Sequence, residues 1–310
     1  MNLAIEPLGK PASGAGLIRP AASSNTGIAI AFMFLAGALV AATSLIAKSL
    51  GLETPDAPGL HPFQVSAGRF SFALFALLLV FALLPGRRPS LKGANWRWHL
   101  ARTVCGWLGV TAMFAAVARM PVAEATALSF LSPIVTMGLA IVMLGEHLGL
   151  RKIIAAGFAL VGALLILRPG VDAFQIAGLL ALAASAFMGL EAIFIKKLSD
   201  AEPALRILLI NNAIGATISL SVSLLFWLWP TETQWLLLWL LGTVMVCAQA
   251  MFIQAMKRGE ASYVIPAFYS VLAFAALYDF IIWRVLPAPL SLLGAVLIVV
   301  GALVLTQRKA

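Results

Sequence analysis

Apolar residues run in unbroken stretches of roughly twenty along most of the chain, and polar residues gather in short patches between them. Helical stretches of that length cover the ~30 Å hydrocarbon thickness of a bilayer. Ten blocks can be drawn, at 27–46, 62–84, 98–118, 122–144, 152–168, 174–195, 205–229, 235–256, 261–283 and 289–306. Ala, Leu, Gly and Val follow one another in them without the alternation of a barrel strand, so each block is predicted to be a helix. The expected fold is an all-α membrane protein of ten transmembrane helices.

Composition sharpens this picture. Apolar residues make up 62% of the chain and charged residues 11%, far from the half-apolar, quarter-charged mixture of a soluble domain. The net charge of +9 raises the question of nucleic acid, but the basic residues sit between apolar blocks, where they orient a protein in a membrane. The expected partner is therefore the lipid bilayer and not nucleic acid. With the amino terminus in the cytoplasm, fifteen Lys and Arg residues fall on that side, against only Lys48, Arg119, Arg168 and Arg284 on the other. This bias predicts a multi-pass protein of the bacterial inner membrane with both termini cytoplasmic. Residues 1–26, rich in Gly, Pro and Ser and without an apolar core, read as a disordered cytoplasmic tail. Lys152 and Arg168, at the ends of the short fifth block, are expected to snorkel to the interfaces.

The chain repeats itself. Ala112-Met113-Phe114 recurs as Ala250-Met251-Phe252, 138 positions on; Glu124-Ala125-Thr126 matches Glu260-Ala261-Ser262 at 136, and Gly162-Ala163-Leu164 matches Gly301-Ala302-Leu303 at 139. The offset spans five blocks, an odd number, so the second copy enters the membrane from the opposite side. Two inverted five-helix repeats, residues 27–170 and 171–310, are predicted. Inverted repeats are the architecture by which a carrier exchanges inward-open and outward-open states. Duplication kept for bundle stability alone is the competing reading.

The segment from Met120-Pro121 to Ser132-Pro133, with Leu144-Gly145-Glu146 and Leu167-Arg168-Pro169-Gly170 after it, resembles the fourth and fifth helices of EamA-type members of the drug/metabolite transporter superfamily. The resemblance extends over residues 27 to 306. It implies ten helices, a 5+5 inverted repeat and a central cavity lined by both halves. It also implies a small organic solute: an amino acid, amine, vitamin or nucleoside-like compound, with riboflavin or S-adenosylmethionine uptake as a narrower alternative. One departure stands out, because Ile282-Trp283-Arg284 occupies the place of a second Gly-Glu pair.

A charge at the bilayer centre costs about 3 kcal/mol on insertion scales, so polar residues inside the blocks need a partner or a function. Arg69, with Gln64 before it, is a candidate for binding an anionic solute group or for locking the fold. Asn211 and Asn212 are its inverted counterparts and either line the path or bond between helices. Pro133 and Pro266 break the fourth and ninth helices at corresponding places, making them candidate hinges. The carbonyls they free, with Ser129, Ser132, Tyr263 and Tyr269, are candidate cavity groups, as is Gln249 of the eighth block. Glu191 is a candidate for proton coupling if buried and an interfacial, ion-paired residue otherwise. Arg102 is expected to snorkel, and Glu124 and Glu260 to cap the helices that they begin.

Chemistry of other kinds finds no support in the sequence. Cys105 and Cys247 lie inside apolar blocks, and His61, His99 and His147 are far apart, so no metal site is expected. No nucleophile motif or catalytic cluster stands at membrane depth, and no phosphate-binding loop exists, so neither a cofactor nor ATP as the driver is expected. A non-transporting membrane scaffold remains the different-class alternative, and a homodimer is left open.

The topology can be checked directly. In a background lacking Cys105 and Cys247, single cysteines at Lys92 and Lys257 are expected to react with a membrane-impermeant maleimide from the same face. Labelling from opposite faces removes the symmetry.

Overall fold

Apolar stretches in lipid have to hydrogen-bond their own backbones, and helix does so within each segment. The computed structural model describes residues 26–53, 58–117, 128–167, 176–283 and 289–306. Helices cover them as α1 (Thr26–Gly51), α2 (Pro62–Leu83), α3 (Trp96–Val117), α4 (Ser132–Leu144) and α5 (Leu150–Leu167), then α6 (Ile176–Ala201), α7 (Ala204–Ser223), α8 (Glu232–Arg258), α9 (Ser270–Trp283) and α10 (Pro289–Thr306). One helical turn, Ala261–Val264, and a 3₁₀ segment, Ile265–Tyr269, lead into α9. Residues 1–25 of the tail, Glu124, Arg168 and Arg284 lie outside the described residues.

Local signals place several helix ends. The His61 ring accepts a bond from the Phe63 N–H, and Pro62 starts α2 where its missing N–H costs nothing. Thr231 and Gln234 form a capping box at the start of α8. Gly145 ends α4 in the left-handed region, φ 68°, where glycine carries no Cβ penalty.

Polarity is distributed inside out. Val142, Leu225 and Leu150 are 84%, 77% and 72% exposed, while Gln64, Arg102, Asn211 and Asn212 are buried. In water this would be untenable, whereas in lipid the apolar faces are solvated and the polar groups satisfy one another. Among the described residues, six stretches are long and apolar enough to cross a bilayer: Gly27–Gly51, Pro62–Leu83, Gly178–Ala201, Ala204–Phe226, Glu232–Arg258 and Ala261–Tyr278.

The packing pairs have a pattern. The most extensive pairs are α1 with α8, α5 with α10 and α3 with α6, followed by α2 with α7 and with α8, α4 with α6, and α1 with α9. Exchanging each helix for the one five places on turns α1–α8 into α6–α3 and α1–α9 into α6–α4. It leaves α2–α7 and α5–α10 unchanged.

Small residues allow the closest approaches. A Cβ on Gly162 of α5 would stand 2.5 Å from the Gly294 carbonyl oxygen of α10, and one on Gly301 of α10 2.8 Å from that of Ala155, so this seam is closed by backbone on both sides. Gly157, by contrast, has open space beside it. Gly162→Ala is expected to cost about 1–3 kcal/mol through overpacking, read as a lower unfolding midpoint of the purified protein, whereas Gly157→Ala leaves the midpoint unchanged or raises it.

Candidate functional site

Two cavities lie between the helices and share Val40 of α1. The first, about 170 Å³, is bounded by α3, α4, α6, α8 and the lead-in to α9, and its polar lining includes Arg102, Ser132, Glu191 and Gln249. The second, about 180 Å³, is bounded by α1, α2, α3 and α8, and Arg69, Ser66, Thr43 and Ser44 supply its polar side chains. Met188, Phe252 and Phe268 give the first cavity an apolar wall.

Three charged side chains line these cavities. Arg102 is almost wholly buried; its Nε lies 3.9 Å from Glu191 Oε1, and its Nη1 donates to the Ile207 carbonyl at 3.4 Å. Arg102 therefore does not snorkel: it lies one turn before Gly106, whose missing side chain leaves room for the Glu191 carboxylate. A Cβ there would stand 2.9 Å from Glu191 Cδ. Glu191 is likewise an ion-paired cavity residue, its side chain 25% exposed. Arg69, in the second cavity, has Cζ 4.1 Å from the Phe70 ring and Nε without a hydrogen-bond partner. The Arg102–Glu191 pair joins α3 to α6.

The other polar candidates divide. Ser132, Pro133 and Gln249 line the first cavity. Gln64 does not line either: its amide donates to the Leu228 carbonyl at 2.5 Å and accepts from the Leu228 N–H at 3.1 Å, clamping the connection before α8. Asn211 accepts from Thr103 Oγ at 3.1 Å, and Asn212 donates to Leu208 O at 2.8 Å and to Gln249 at 3.4 Å, so both bond to their surroundings between helices and only Gln249 reaches the cavity. Ser129 is buried and lines neither cavity. Tyr263 also lines neither; its ring centre is 5.8 Å from Lys152 Nζ.

The proline breaks meet. Pro133 sits in the first turn of α4, where the Ile134 and Val135 N–H groups both turn to the Leu131 carbonyl. The Phe130 carbonyl takes the Tyr269 hydroxyl instead, at 2.6 Å. Tyr269 closes the 3₁₀ segment that contains Pro266, and it is buried against Phe130 rather than presented to a solute. Its hydroxyl thus joins the interruption of one span to that of the other.

Ionic contacts fasten one end of the bundle. Glu146, after α4, accepts from the Ala261 and Ser262 N–H groups at 2.8 and 2.9 Å and from Ser262 Oγ at 2.5 Å, capping the ninth span from outside it. Glu260, expected to cap that span itself, makes no side-chain cap and pairs with Lys152 instead. Lys152 is buried, not snorkelling, because it also donates to Ser262 Oγ at 2.9 Å and to the His147 carbonyl at 2.8 Å. Nearby, Glu202 accepts from the Asn95 N–H at 2.8 Å and pairs with His99 at 2.9 Å and Arg206 at 3.7 Å. Burial pushes its carboxyl up, but these hydrogen bonds and positive charges outweigh that and hold it below the usual carboxylate range. Its share of stability is therefore present at neutral pH and lost as pH falls through that lowered value. At the other end, neutral bonds do the corresponding work: Gln234 donates to the Pro58 carbonyl at 2.8 Å, beside the Gln64 clamp.

Sequence reasoning left out Arg102 and Glu146 as site residues. Arg102 could have been found from Gly106, one turn on along the same face. Glu146 was visible only as a motif, since its partners are 115 and 116 positions away. Among the described residues no group of three metal-ligating side chains occurs.

Comparison with known proteins adds identity to this geometry. The sequence profile described as the EamA-like transporter family matches residues 27–168 and 175–307. The chain is 27% identical to a riboflavin transporter of Vibrio cholerae, over 89% of this chain and 92% of that protein. It is 26% identical to an S-adenosylmethionine uptake transporter of Rickettsia bellii, over 91% and 95%, and 25% identical to the pseudopaline exporter CntI of Pseudomonas aeruginosa, over 75% and 82%. A crystal structure at 22% identity shares the fold with a TM-score of 0.73, covering 90% of this chain and 96% of the other.

Glu146→Gln keeps one acceptor oxygen where two are in use. It is expected to cost about 1–3 kcal/mol in the unfolding midpoint of the purified protein, while Glu53→Gln, before α2, leaves it unchanged.

Proposed function

The chain belongs to the EamA-like transporter family, and from that premise we propose that it is a secondary carrier, moving a small organic solute across the bacterial inner membrane by alternating access. The observation that carries this reading is the pair of cavities that share Val40 and draw their walls from helices before and after residue 170. Ten spans in two inverted repeats, 27–170 and 171–310, with both termini cytoplasmic, are part of the proposal. The self-mapping of helix pairs under exchange of the halves supports it, as do the breaks beside Pro133 and Pro266. These two prolines act as hinges: each lets its span bend where backbone bonds are already interrupted.

Ser132 and Gln249 contact the solute in the first cavity, and Arg69 reaches it from the second. Glu191 exchanges its partner Arg102 for solute or proton during the cycle. The solute is an amino acid, amine, vitamin or nucleoside-like compound. Relatives named for riboflavin transport and for S-adenosylmethionine uptake make those two compounds the first to test.

In proteoliposomes, protein-dependent uptake is expected to saturate and to accelerate when unlabelled solute is preloaded on the far side. Non-saturating flux would mean a pore. Arg69→Ala is expected to lower uptake roughly tenfold or more without loss of folded yield; unchanged uptake removes Arg69 from the site, and no uptake by the parent protein leaves the scaffold reading.

A further inference from the structure

Charge in the two cavities does not balance. Among the described residues, their lining holds two guanidinium groups, Arg69 and Arg102, and one carboxylate, Glu191, a net single positive charge. The Nε atoms of both arginines lack hydrogen-bond partners although Arg102 is 1% exposed. Arg102 Nε stands 3.9 Å from Glu191 Oε1, and the carboxylate lies against Gly106 of α3. His99, also within reach of Arg102, is occupied by Glu202 and lines neither cavity. An isolated excess charge at membrane depth is costly, so the site is built for a ligand that cancels it.

We infer that the two cavities together select a small organic anion of single negative charge, an apolar or aromatic monocarboxylate, which narrows the solute classes proposed above to their monoanionic members and leaves out amines and the cationic S-adenosylmethionine. Arg69 and Arg102 are its cationic contacts, and Glu191 sets how much charge is accepted. A monoanion brings the site to neutrality with Glu191 ionised. A cation would raise the charge to two, and a dianion would reverse its sign. Met188, Phe252 and Phe268 receive the apolar body, while Ser132 and Gln249 offer it neutral hydrogen bonds. Gly106 is what lets Glu191 stand close enough to take part. Only the claim that the bound anion is moved rests on the carrier reading.

The test uses three probes of one shape on the purified full chain: phenylacetate as monoanion, phenylmalonate as dianion and phenethylammonium as cation. Calorimetric titration at neutral pH is expected to show phenylacetate binding more tightly than phenylmalonate, with no binding of the ammonium. Glu191→Gln raises the site charge by one and is expected to reverse the order of the two anions, a gain that misfolding cannot imitate. Arg69→Gln is expected to weaken phenylacetate binding roughly tenfold or more, with Arg69→Lys retaining most of it. An unchanged order in Glu191→Gln overturns the inference, as does preference for the ammonium or binding of neither anion at millimolar concentration. Proteoliposome flux on the same preparations separates the two readings. Anion binding without flux removes the carrier and keeps the charge assignment, while saturable flux of a cation alone does the reverse.

Discussion

Hydrocarbon offers no hydrogen bonds, and that constraint governs the structure more than any single contact. A polar group inside the bilayer has to find its partner within the protein, so the bundle is organised around its few polar side chains and shows an apolar surface outward. The consequence is visible in how far such groups reach. Gln64 finds Leu228, Thr103 finds Asn211, and Glu146 finds Ala261 and Ser262, each across helices distant in sequence. In a soluble protein several of these groups could be left to water.

The same constraint separates fastening from function. Groups whose hydrogen-bonding capacity is filled by backbone, such as Gln64 and Tyr269, hold connections and breaks in place. Arg69 and Arg102, whose Nε atoms are left without a hydrogen-bond partner, stand at the cavity walls. The two ends of the bundle also differ. One is held by carboxylates and a buried lysine, the other by amide-to-carbonyl bonds. The proposed pair of halves would thus carry unequal locks, in keeping with the sequence, where Ile282-Trp283-Arg284 takes the place of a second Gly-Glu pair.

How much of this could be read beforehand follows from range. Helix positions were legible because apolar block length is a local property, and the Pro133 and Pro266 breaks because proline removes its own N–H. Short matched segments suggested the two halves that the proposed function builds on. Partners were not. Arg102 at a block end looked free to reach the interface, and only the packing of α3 on α6 turns it toward Glu191. Glu260 stood where a capping residue belongs, but the presence of Lys152 diverts it and a carboxylate from the other half takes over. Such exchanges depend on which helices are neighbours, information that no window of sequence contains.

The bond from Tyr269 to the Phe130 carbonyl has a mechanical meaning. It splices two interrupted helices at their weakest points, so parting them leaves the Tyr269 hydroxyl and the Phe130 carbonyl without each other in an oily interior. In the proposed carrier, half-completed movements would be penalised, and the lifetime of any intermediate open to both compartments shortened accordingly. A single phenolic hydroxyl would in this way help to keep the membrane from leaking while the protein changes shape.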